Sequence, residues 1–147
     1  KLIFNDTGNH KSANMNTKTT KMIVNRLYED GLIDYVGVEM HVDQDFNMPN
    51  KQDLIAVFNS YPVPVVITEF DANLNYVEGD AADREMDRIT KIVFDGCLES
   101  EHCLSITTWG EKEPGWEGRT LLRDEQNKRK SAYYVAMQSM FLHLDVP

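Results

Sequence analysis

Apolar residues fall in four short runs, centred near Ile3, Val36, Val66 and Ile106, with amphipathic stretches between them. The short runs predict strands and the stretches predict helices. Asn16 or Thr17 can cap a first helix, in which Met22, Ile23, Leu27 and Tyr28 share one face and Gly31 is the stop. A second begins near Asn50, carries Leu54, Ile55, Val57 and Phe58, and ends before Pro62. The third starts about Asp80 and carries Met86, Ile89, Ile92, Val93 and Cys97. The last runs from about Ser131 through Val135, Met137 and Phe141. The order is βαβαβαβα with no sequence repeat. Strands separated by helices imply parallel neighbours joined by right-handed crossovers. The longer connections, 7–16, 42–49, 72–79 and 111–120, then collect at the carboxyl ends of the strands, and turns such as 29–32 at the other end are short.

One run stands out. Val65, Val66 and Ile67 lead without a polar interruption into Thr68, Glu69, Phe70 and Asp71. So apolar a run reads as a strand buried on both faces. In extended backbone Glu69 and Asp71 point to one side. Acids at the end of such a strand lie at the rim of a core, where α/β folds build their sites. Pattern alone leaves two readings: site acids, or a strand end in an ion pair.

The segment Val66-Ile67-Thr68-Glu69-Phe70-Asp71 resembles the nucleophile strand of the family 10 glycoside hydrolases, the (β/α)8 endo-β-1,4-xylanases. Further matches follow in the family's order. Asn5-Asp6 closes the first strand, and Val36-Gly37-Val38-Glu39-Met40-His41 resembles the strand ending in a histidine beside the nucleophile. Ser105-Ile106-Thr107-Thr108-Trp109-Gly110 resembles the last strand, followed by Trp116. Leu121-Leu122-Arg123-Asp124 through Ser131-Ala132-Tyr133-Tyr134 resembles the closing stretch. The chain departs from the family at Thr7 (usually Tyr), Glu39-Met40 (usually Gln-Ser), Phe70 (usually Leu, Ile or Tyr) and the loop 111–115. These changes bear on substrate specificity more than on the reaction.

The resemblance implies an α/β fold in which residues 1–147 supply about the last four βα units of a (β/α)8 TIM barrel. It implies retaining hydrolysis of xylan, with Glu69 as nucleophile, His41 bonded to it and Asp71 behind His41. Asn5, Glu39, Trp109 and Trp116 become substrate-side residues. Indole suits such a role, since sugar C–H faces pack on large aromatic rings. The family's acid/base is a Glu on the strand before those seen here, in a Trp-Asp-Val-Val-Asn-Glu-like segment that this sequence lacks. Glu39 aligns with a family Gln and is therefore a cleft residue. No cofactor is implied. Four units do not close an eight-stranded barrel. The implied partner, besides xylan or a xylo-oligosaccharide, is accordingly the N-terminal half, in the same parent chain or in a second one.

The chain has 147 residues, 41% hydrophobic and 27% charged, enough for one globular domain. Its net charge of −9 disfavours nucleic acid and anionic membranes as partners. No apolar run is long enough to span a bilayer. Cys97 and Cys103 flank a helix-to-strand turn and read as a bridge or as two buried thiols. The resemblance implies the bridge, and with it a secreted, extracellular protein. Two rivals remain. One is an inactive, carbohydrate-binding half-barrel. The other is a metal-dependent hydrolase using Glu39, His41, Asp43 and Glu69, although no cluster has clear metal-ligand spacing. The run His41-x-Asp43-x-Asp45 is a weaker cation motif.

Overall fold

The computed structural model describes residues 1–44, 48–75 and 77–143. Four strands, β1 (Ile3–Thr7), β2 (Tyr35–Asp43), β3 (Val65–Asn73) and β4 (Cys103–Thr108), form one parallel sheet in the order β1-β2-β3-β4. Helices α1 (Met15–Glu29), α2 (Lys51–Asn59), α3 (Gly79–Leu98) and α4 (Ser131–His143) alternate with them. No described helix is long and apolar enough to cross a membrane.

The expected cap of α1 shifts to Asn14, whose side chain accepts from the Asn16 amide. Asn16 and Thr17 instead bond the carbonyls of Thr7 and Lys11, tying the helix to the connection before it. Asn50 caps α2 as expected, accepting from the Asp53 amide. Gly31, at φ +67°, supplies the left-handed residue just past α1.

Burial along β2 alternates from Val38 onward. Val36, Val38, Met40 and Val42 enter the core, while Glu39, His41 and Asp43 on the other face are only partly buried, and Gly37 on that face is buried as well. In β3 the buried apolar residues are Val65, Ile67 and then Phe70 and Ala72, and Phe70 meets Phe94 of α3. The phase slips because a bulge leaves Thr68 without a partner: Val38 pairs with Ile67, and Glu39 with Glu69. Glu69 is thereby turned onto the same face as Glu39. Val66 and Thr68 are only partly buried, so β3 is not covered on both faces. Helices cover one face, and four strands do not curl far enough to bury the other.

Strands β2 and β3 also run further than their apolar cores. The ladder continues through Asp43 and Asn73, because the carboxylates point off the sheet while their backbones stay paired. Connections expected from residues 42 and 72 therefore start later, and they include residues 45–47 and 76, which lie outside the described set. The turn between α3 and β4 is closed by a Cys97–Cys103 disulfide with a Cα–Cα distance of 5.0 Å.

Candidate active site

The open face of the sheet is polar, and its side chains form a connected network. At its centre is the His41 imidazole. Its Nε2 lies 3.0 Å from Glu69 Oε2, and its Nδ1 lies 2.9 Å from Asp71 Oδ1. The strand pairing explains both contacts, since Glu39 is opposite Glu69 and His41 is opposite Asp71. The sequence-predicted trio is brought together.

Asp71 is fully buried and would be costly as a lone anion. Arg119 compensates it. The guanidinium donates to Asp71 Oδ1 at 3.2 Å, to Asp43 Oδ1 at 3.1 Å and to the Val42 carbonyl at 3.4 Å. Arg119 and the Nδ1 of His41 meet the same oxygen of Asp71. The bond between His41 and Asp71 holds the imidazole above its ordinary pKa, against burial and the Arg119 charge. A protonated His41 donates from Nε2 to Glu69 Oε2, and a neutral ring carrying its hydrogen on Nδ1 faces that oxygen with a lone pair.

Arg119 is the residue that sequence reasoning missed. It lies beyond Trp116 in a connection with no motif around it. Its position depends on the chain turning back: Ala72 and Thr120 exchange backbone hydrogen bonds of 3.2 and 2.7 Å, pinning the connection to the end of β3. Nothing local in the sequence marks that return.

Asn5 extends the network toward β1. Its side-chain amide donates to Glu39 Oε1 at 2.8 Å, and its oxygen accepts from Thr68 Oγ1 at 2.7 Å. Glu39 is held above the ordinary carboxylate range, chiefly by burial and then by the Glu69 charge. Space for Asn5 exists only because residue 37 lacks a side chain: a Cβ there would lie 2.1 Å from Asn5 Oδ1. Gly37→Ala is therefore expected to evict Asn5 and to destabilise the complete protein by about 1–3 kcal/mol. Denaturant unfolding reads this; a loss below about 0.5 kcal/mol, as for an ordinary surface site, would mean that Asn5 rearranges freely.

Trp109 and Trp116 are 45% and 55% exposed and stand beside this network. Their ring centroids lie 6.3 and 5.8 Å from that of His41. Trp109 is therefore exposed beside His41 and is not part of the core. Asp43 is engaged by Arg119, which draws it away from the metal set suggested by sequence, and Asp45 of the weaker motif lies outside the described residues. Among the described residues, Glu39, His41 and Glu69 alone bring ligand-type atoms within 4.8 Å of one another.

The sequence profile described as Glycosyl hydrolase family 10 matches residues 1–139. The chain is 28% identical over 145 residues to the endo-1,4-beta-xylanase A of Thermoanaerobacterium saccharolyticum, covering 93% of this chain and 12% of that protein. It is 28% identical over 143 residues to the exoglucanase XynX of Acetivibrio thermocellus, covering 92% and 13%. The native xylanase 10B of Thermotoga maritima superposes with a TM-score of 0.84 at 23% identity, over 96% of this chain and 47% of that one. The chain thus spans about half of the solved relative and about an eighth of the two curated ones, and its four-stranded sheet is a partial (β/α)8 barrel.

Proposed function

Because the chain belongs to glycosyl hydrolase family 10, we propose that the protein it forms part of is a retaining endo-1,4-β-xylanase. Residues 1–147 are then the C-terminal half of its catalytic domain. The observation that carries this reading is the Glu69 carboxylate held 3.0 Å from a histidine whose other nitrogen is fixed by a buried aspartate. In the reaction, Glu69 attacks the anomeric carbon as the glycosidic bond breaks, giving a glycosyl-enzyme that water then hydrolyses. His41 bonds Glu69 and aims it. Asp71 positions His41, and Arg119 holds Asp71 in place. Trp109 and Trp116 stack against sugar rings, with Asn5 and Glu39 bonding hydroxyls beside them.

The leaving oxygen needs a proton from a second carboxyl group, placed about 5–5.5 Å from the first. Glu39 is a poor donor to that oxygen, because it sits on the nucleophile's own sheet face and accepts from Asn5. The acid/base Glu comes from the N-terminal half of the barrel, the partner this chain requires. The Cys97–Cys103 bridge supports action outside the cell.

The complete protein is to be given xylan and, because one relative is an exoglucanase by name, cellulose. Faster release from xylan is expected, with the β-anomer appearing first by NMR. An α-anomer first would remove the retaining mechanism. Binding of xylan without cleavage would favour the carbohydrate-binding rival.

A further inference from the structure

We propose that Glu39, His41 and Glu69 form a binding site for a zinc-class divalent cation, which competes with substrate by occupying the nucleophile. The competition rests on the proposed function; the binding does not.

The bulge in β3 and the pairing of Glu39 with Glu69 bring one ligand atom from each residue into a cluster, all within 4.8 Å. Three ligands bonding zinc at about 2.0–2.2 Å lie about 3–4 Å from one another, so modest turns of the two carboxylates close this set. The His41 Nε2 to Glu69 Oε2 separation, 3.0 Å, is already in that range. A cation bound there would replace the hydrogen that joins that nitrogen to that carboxylate oxygen.

The surroundings have the form of a metal site's outer layer. Ligating histidines ordinarily give their other N–H to a carboxylate, which fixes the tautomer. His41 does so to Asp71, itself held by Arg119. Asn5 holds one oxygen of Glu39 and leaves the other to a ligand. An imidazole with two carboxylates selects a zinc-like ion over calcium or magnesium, which take oxygen ligands. The sequence resemblance points to a Gln in place of Glu39, so the third ligand belongs to this chain's own sequence.

Zinc chloride is the probe, titrated calorimetrically into the metal-stripped complete protein. Expected are one zinc per chain, a raised melting temperature in the wild type, loss of binding in His41→Gln and at least about tenfold weaker binding in Glu39→Gln. Xylan turnover should fall with bound zinc and return with a chelator. Should His41→Gln fail to fold, the Glu39→Gln titration and the wild-type melting shift decide the matter. Binding unchanged in both variants would place the ion elsewhere on this acidic chain and overturn the site. So would the absence of heat and of any melting shift at about 0.1 mM zinc. Zinc bound as described by a protein that hydrolyses no glycan would support the site and overturn the proposed function. Xylan turnover in a protein that binds no zinc would do the reverse.

Discussion

Glu69→Gln in the complete enzyme is expected to lower xylan turnover by several orders of magnitude while leaving the fold intact. An amide nitrogen or carbonyl cannot replace the carboxylate in forming the glycosyl-enzyme, so the covalent route is closed. The change is close to isosteric. The amide oxygen can still accept from His41, and no cavity opens, so circular dichroism and melting should stay near the wild type. The loss should therefore appear in kcat rather than as unfolded protein. An activated aryl xylobioside should be affected as strongly as xylan, because the attack itself is removed and a better leaving group does not restore it. Residual activity above about a tenth of the wild type would exclude Glu69 as the nucleophile.

The second large effect concerns residues 1–147 by themselves. Expressed alone and shown to be folded, they are expected not to hydrolyse xylan. A glycosidic oxygen leaves poorly unless it is protonated as the bond breaks, and general acid help is typically about 10²–10⁴-fold. Glu39 accepts from Asn5 on the sheet face it shares with Glu69, and Asp71 is buried behind His41, so neither is set to give that proton. A sugar beside Trp109 and Trp116 would also rest on an open face and would not be held against Glu69. An aryl xylobioside, whose leaving group needs little protonation, can still show weak turnover. Xylan cleavage by the pure isolated chain would mean that Glu39 serves as the acid or that two copies rebuild the site. Supplying the N-terminal half as a second polypeptide should restore xylan cleavage if the two halves assemble.

Much of this is legible in the chain itself. Short apolar runs and helical spacing mark the order of elements, and adjacent parallel strands make it natural that His41 should meet Glu69. The i, i+2 relation of Glu69 and Asp71 holds. The features that escape depend on pairing. The bulge at Thr68 is not written in its neighbours, yet it decides which face Glu69 takes. Of the four residues named for a metal-dependent rival, Glu39, His41 and Glu69 do cluster, and what the sequence could not show is that Arg119 takes Asp43 out of the set. Arg119 reaches Asp71 only through the Ala72–Thr120 pairing. The open polar face reads as buried in the sequence because a β-branched run reports strand character but not what lies above each side.

The order of the strands has a consequence for how the chain is made. Each pairs with its predecessor in sequence: Phe4 with Val36, Val36 with Val65, Val65 with Cys103. No strand waits for a later one to be inserted between it and its neighbour. During synthesis, which delivers about 5–20 residues per second, each βα unit can dock on the one already in place before the next leaves the ribosome. The sheet grows in one direction, and its newest edge is always the one that the next strand to emerge will cover.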